Sequence, residues 1–249
     1  MNINWIAKKS AFILMVICVF CVNALNAEII IDLSDDQTDN ININVTELYY
    51  RRIIGTPNNE IEILYNDLWK YKHITYELYY DNKISLANDI YSLAIFSNDI
   101  TEEVSLERFE KGVQGFHYDL SQVCDWINNN NDILNSPKKR QLFFYLLIDG
   151  IITYMDNMAV STGKVKHVLG VAPGNKRSME SAVQHERLHV AWDEDGEFRK
   201  GYTEKWNGLT DGEKDEIVKS LRGYSREKES QLIEEWAVRS MELNIGNNE

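Results

Sequence analysis

The residues with the clearest chemical potential are His185, Glu186 and His189, in the run His185-Glu186-Arg187-Leu188-His189. On a helix, a spacing of four stacks two imidazoles on one face about one turn apart, so their nitrogens can meet on one metal ion. Glu186 lies about 100° around from His185 and points toward the same cleft, where a carboxylate can take a proton from water. A zinc ion there would acidify that water and polarise an amide carbonyl, so three residues supply two ligands, His185 and His189, and one general base, Glu186. With five His among 249 residues, chance yields such a motif in on the order of one chain in a hundred. Val183, Leu188 and Val190 give the helix an apolar setting that a solvated surface helix lacks.

The elements expected to hold these residues follow from local pattern. Residues 164–172 alternate, with Val165, His167, Leu169 and Val171 on one side, as a half-buried strand does. Pro173-Gly174-Asn175 ends it, and Ser178 caps a helix running to about Trp192. The charged segment 193–196 interrupts that helix. A further helix fits residues 211–221, and a last one begins near Ser225 and runs to about Asn244.

Strand, HExxH helix and later acidic helix, in that order, resemble the zincin metallopeptidases over residues 164–245. The resemblance implies an edge strand lying above the motif helix, a third zinc ligand supplied from downstream, and hydrolysis of peptide bonds. Metzincins carry a glycine three residues after the second histidine and a histidine three further on; here those positions are Trp192 and Asp195. The gluzincin-like arrangement takes its ligand from a later helix, and Gln231 to Ala237 is the matching stretch. The Glu234-x-x-Ala237 pattern is similar to the ligand helix of several gluzincin-like families, with a separation of 45 residues from His189 that exceeds that of thermolysin-like enzymes.

Two adjacent glutamates compete for that role. Projected at about 100° per residue, Leu232, Ile233, Trp236, Ala237, Met241 and Leu243 form an inner face. Glu234 leans inward beside Val238 and Met241, whereas Glu235 falls with Arg239 and Glu242 on the polar side. A buried carboxylate is costly unless paired or metal-bound, which makes Glu234 the expected third ligand. Glu235 is explained by an i,i+4 pair with Arg239. Glu229 and Asp195 are lesser alternatives. Tyr202, Tyr224 and His167 are the available oxyanion-stabilising side chains nearest the motif, and Asp193 is placed to orient a ligand imidazole. Backbone groups of strand 164–172 could pair with an extended peptide.

The rest of the chain supplies the core. Apolar residues at helical spacing suggest two helices between about 59 and 98, one from 106 to 127, and one from Ser136-Pro137 to about Met158. A short strand is expected around Ile41 to Val45. The expected fold is α+β and predominantly helical, with a zincin-like catalytic core. Its parts are a signal peptide over 1–27, a mainly helical portion over 28–160 and a metal-binding portion over 161–249, with 28–249 forming one domain.

Export is implied by Lys8 and Lys9 ahead of the apolar run from Ala11 to Val22, with small residues at Ala24 and Ala27 marking cleavage. The mature chain would be secreted or periplasmic, without stable membrane insertion. Its one remaining cysteine, Cys124, could form no internal disulfide. A formal charge of -13 repels phosphate backbones and argues against nucleic acid, leaving a peptide or protein, including cell-wall peptide, as the expected partner. Two alternatives remain: a zincin-fold binding protein without turnover, and a metal-free helical export protein with a fortuitous motif.

Overall fold

The structure, a computed structural model, describes residues 50–55, 69–129, 137–174, 178–221 and 228–246, all within the compact unit Thr46–Glu249. The expected signal peptide, the strand around Ile41 to Val45, the stretch 59–68 and Tyr224 lie outside the described residues. The chain is mixed α/β, with eight α-helices and 59% helix among the described residues. No helix among them is long and apolar enough to cross a membrane.

A four-stranded sheet forms the middle layer. β1 (Tyr50–Ile54), β2 (Thr75–Tyr80) and β6 (His167–Val171) are parallel, and β3 (Gly115–Asp119) joins β6 antiparallel at the edge, giving the order β1-β2-β6-β3. Strand 164–172 was expected at the edge and half-buried; β6 is instead interior, and all five of its residues are buried. The edge position belongs to β3, which falls inside the expected helix 106–127. That stretch divides into α2 (Leu106–Gly112), β3 and α3 (Leu120–Asn129). Likewise Tyr76, Tyr79 and Tyr80, expected on a helix, lie on β2, all six of whose residues are buried. A strand covered on both faces loses the apolar-polar alternation that distinguishes it from a helix in sequence.

Alternate side chains of these strands enter two different cores. Tyr76, Leu78, Tyr80, Phe116, Tyr118 and Val168 face a layer built from α1 (Lys83–Phe96), α3 and α4 (Pro137–Ile148). The expected helix reaching Met158 stops at Ile148, and a hairpin follows, β4 (Ile152–Met155) with β5 (Met158–Ser161), turned by Asp156 and Asn157 at positive φ. Tyr79, Leu169 and Val171 face the other way, onto Met179, Ala182, Val183 and Val190 of α5 (Met179–Glu194), the helix carrying the motif. Ser178 caps α5 as expected, its hydroxyl accepting from Ser181 N at 3.1 Å. Asp195 ends α5 and caps α6 (Gly196–Asn207), a helix the sequence reading lacked. Thr210 and Glu213 form a capping box on α7 (Asp211–Ser220), and α8 (Glu229–Gly246) completes the fold. Trp192, Tyr202, Trp206, Leu221, Leu232, Ile233 and Ala237 bind α5 to α8 in a third core.

One polar residue interrupts the apolar stripe by which α5 sits on the sheet. Arg187, 1% exposed, lies between Val183 and Val190 and reaches Glu77 on β2, 0% exposed. Nε to Oε1 is 2.8 Å and Nη2 to Oε2 is 3.2 Å. The Tyr79 hydroxyl also donates to Glu77, Arg51 approaches it at 3.6 Å, and the Trp69 ring covers the Arg187 guanidinium. Arg187→Met leaves a buried carboxylate short of its main partner and should cost about 3–5 kcal/mol in urea unfolding; Arg187→Met with Glu77→Leu should cost clearly less than the sum of the single changes.

A second buried carboxylate gives the fold a pH dependence. Asp89 on α1 is fully buried, and the Tyr80 hydroxyl donates to its Oδ2 at 3.1 Å. Burial pushes its carboxyl up to about 7, against the smaller opposing effect of that hydrogen bond. The folded state therefore favours the protonated acid, and stability falls as pH rises from about 4, the ordinary carboxyl value, through 7. Asp89→Asn keeps the acceptor for Tyr80 and removes the charge. Its thermal melting should lose that decline, and it should exceed the parent by on the order of 2 kcal/mol at pH 8.5.

Candidate metal centre

Because Arg187 is about 200° around the helix from both His185 and His189, fastening it to the sheet turns the two imidazoles away from β2, toward α8. Their ring centroids are 5.0 Å apart. Glu235 on α8 projects between them, its Oε2 3.8 Å from His185 Nε2 and 3.6 Å from His189 Nε2. These three donor atoms lie within 4.8 Å of one another. Two imidazole nitrogens and one carboxylate oxygen are the donor set of a catalytic zinc site, with bonds of about 2.0–2.2 Å. A small contraction around a central ion would suffice.

Glu234 does not occupy that position. Its Oε1 meets Nδ1 of His189 at 2.7 Å, on the far side of the ring from Nε2. The helical projection placed Glu235 on the polar side of α8, and the Glu235 to Arg239 bond is indeed present. That polar side is internal, however. Leu232, Ile233 and Ala237 bury one face of α8 in the third core, while Glu235, 3% exposed, faces α5 across the cleft. One oxygen of Glu235 takes Arg239 and the other faces the histidines. A wheel drawn for one buried face assigns such a residue to solvent.

Glu242, about two helical turns beyond Glu235, brings Oε2 to 3.2 Å from Nδ1 of His185, without the alignment of a hydrogen bond. Each imidazole thus has a carboxylate behind it and shares Glu235 in front. Burial lowers the His189 pKa, but the hydrogen bond to Glu234 and the nearby carboxylates of Glu235 and Glu186 outweigh it and hold it at about 10. Burial raises Glu235, and the His189 imidazole 3.6 Å away together with the charges of His185 and Arg239 brings it down to about 2. Carboxylates around two imidazoles make the cleft favourable to a cation at its centre.

The remaining alternatives have other partners. Glu229 accepts from Trp206 Nε1 at 2.8 Å. Asp195 accepts from Glu197 N and Phe198 N, each at 3.1 Å, as the cap of α6. Tyr202 is buried among Phe198 and Trp236 with Lys205 over its ring. His167 and Asp193 meet each other and His117 at the far end of the cleft.

Glu186 is 8% exposed and directed at the edge strand. A Cβ built on Gly115, the first residue of β3, would stand 2.3 Å from its Oε1. The absence of a side chain at Gly115 is what admits the carboxylate. Along β3 the α5-facing positions 115, 117 and 119 follow the helix stripe 186, 189 and 193. Gly115 meets Glu186, the His117 ring stacks on His189 at 6.2 Å and 9°, and Asp119 reaches the His167 and Asp193 cluster. His117 is not among the candidates because the helical spacing over 106–127 predicts a helix there; the signal for a strand is the Gly115-Phe116-His117-Tyr118-Asp119 alternation.

Gly115→Ala should therefore destabilise the fold by about 1–3 kcal/mol through the clash with Glu186. Adding Glu186→Ala to that variant should recover most of the loss, a coupling that a double-mutant cycle of chemical denaturation measures directly. No protein family, curated protein or solved structure matches the chain, so the reading of this cleft stands on its residues.

Proposed function

We propose that this chain is a zinc-dependent peptidase of zincin type that acts after export, with His185, His189 and Glu235 as ligands and Glu186 as general base. The observation that carries the reading is the single carboxylate oxygen of Glu235 within 3.8 Å of both Nε2 atoms, with Glu186 on the same helix facing the edge strand. The donor set suits zinc; Glu234 hydrogen-bonds Nδ1 of His189, the arrangement that fixes ring orientation and tautomer in such sites, and Glu242 places a carboxylate 3.2 Å from Nδ1 of His185. Glu234 replaces its expected role as ligand with that of holding His189.

A zinc ion, when bound, supplies polarisation of an amide carbonyl and lowers the pKa of water. The protein's own groups do the rest. Glu186, held beside the side-chain-free Gly115, accepts a proton from the attacking water at its carboxylate and returns it to the leaving amine. Arg239 occupies one oxygen of Glu235 and leaves the other directed into the cleft. The edge of β3 not paired with β6 is unpaired by any strand among the described residues, and it runs past Glu186. An extended peptide adding to that edge would bring its backbone alongside the base. β3 thereby takes the role first assigned to strand 164–172.

Purified protein should contain zinc that a chelator removes together with hydrolysis of unstructured peptides or cell-wall peptide. Glu186→Gln should keep its metal and lose about 10²–10⁴ in turnover. Glu234→Gln and Glu242→Gln should weaken zinc binding about 10–100-fold, and Glu235→Gln should weaken it more than either. Full hydrolysis by Glu186→Gln would remove this residue from the mechanism, and metal bound without turnover of either substrate class would make the fold a binding module.

A further inference from the structure

The last turn of α5 carries Asp193 and Glu194, two negative charges at the negative end of the helix dipole. Such residues are unfavourable there unless a cation faces them. The described residues place two histidines opposite. His117 on β3 and His167 on β6 have side chains 9% and 2% exposed, and their Nε2 and Nδ1 atoms face each other at 3.0 Å. Asp193 Oδ2 lies 3.7 Å from His117 Nε2 and 4.0 Å from His167 Nδ1. Asp119 Oδ1 is 3.2 Å from that same Nδ1. The other nitrogen of His167, Nε2, meets Glu194 Oε1 at 3.0 Å, and Lys166 holds the second oxygen of Glu194.

We infer that His117 Nε2, His167 Nδ1 and Asp193 Oδ2 form a second divalent-cation site, distinct from the His185, His189 and Glu235 centre, with Asp119 as a fourth ligand. The three atoms lie within 4.8 Å of one another, and four tetrahedral donors at zinc bond lengths are about 3.4 Å apart. The 3.0–4.0 Å spacings found here bracket that value. Two imidazoles with carboxylates select zinc or a neighbouring transition ion over calcium or magnesium, which take oxygen alone. Glu194 on His167 Nε2 is the outer carboxylate that such ligand histidines carry.

An ion has a route in. Asp119 is 57% and Asp193 35% exposed, so the carboxylate side opens to solvent while the imidazole side is closed by the sheet. Three separate elements, β3, β6 and the end of α5, supply the ligands. An ion at this point would fasten the edge strand to the helix one turn beyond His189. The inference does not depend on peptidase activity, because the ligands of the two sites do not overlap.

The test is a titration of metal-stripped full-length protein with Zn²⁺, followed by calorimetry and by metal analysis after dialysis. Wild type should bind two equivalents. His117→Gln with His167→Gln should bind one, and so should His185→Gln with His189→Gln; each pair of changes should spare the other site. Asp193→Asn, a milder change on a partly exposed residue, should weaken one equivalent at least tenfold while circular dichroism and the other equivalent are unaltered. Substituting Co²⁺ should give two visible absorption envelopes, each lost in one double variant. Retention of both equivalents by the His117 and His167 double variant, or unaltered affinity in Asp193→Asn, would overturn the second site. A single equivalent in wild type that survives changes at 117 and 167 would overturn it while leaving the first centre standing. A single equivalent that survives changes at 185 and 189 would do the opposite.

Discussion

Everything in the cleft depends on the rotation of one helix, and that rotation is set by the buried pair of Arg187 and Glu77. Apolar contacts from Met179, Val183 and Val190 hold α5 against the sheet, yet such contacts tolerate sliding and turning by a rotamer or two. A guanidinium gripping a carboxylate through two nitrogens tolerates neither, because misalignment would leave charge buried without a partner. The motif thus contains its own anchor. Arg187 occupies one of the two positions between the histidine-glutamate pair and His189 whose identity the proposed zinc chemistry leaves free, and here it performs the positioning.

With α5 fixed, its remaining surface divides between two neighbours. His185, His189 and Trp192 face α8, where Glu234, Glu235 and Glu242 form an acidic wall around the imidazoles. Glu186, His189 and Asp193 face β3, where Gly115, His117 and Asp119 alternate with the core-directed Phe116 and Tyr118. His189 belongs to both stripes, so the ring proposed to hold the catalytic ion also stacks on His117. The cleft is electrostatically consistent at each end: histidines collect where carboxylates would otherwise repel one another.

Much of this is legible in the sequence. The five-residue motif gave the helix and the pairing of its imidazoles, and the Ser178 cap and the Pro173-Gly174 break placed its start. The alternation of His167, Leu169 and Val171 gave β6. Part of what escaped has a common cause, elements buried on more than one side. β2 and β6 lie between two helical layers, so β2 shows no alternation and β6 takes an interior place rather than an edge. The polar side of α8 is turned into the protein, so Glu235 looked solvated when it is enclosed. Gly115-Phe116-His117-Tyr118-Asp119 does alternate, but the helical spacing of its neighbours on both sides concealed it. One-dimensional patterns report how many faces an element covers, and not which neighbour covers them.

The claim on which the functional reading turns is that a metal ion sits among His185, His189 and Glu235. Anomalous diffraction recorded on either side of the zinc absorption edge, from crystals grown without chelator, tests it most directly. The account predicts a peak within bonding distance of both Nε2 atoms and of Glu235 Oε2, with Glu234 remaining on Nδ1 of His189. The absence of anomalous density there, with the two rings hydrogen-bonded to carboxylates alone in zinc-supplemented crystals, would contradict it.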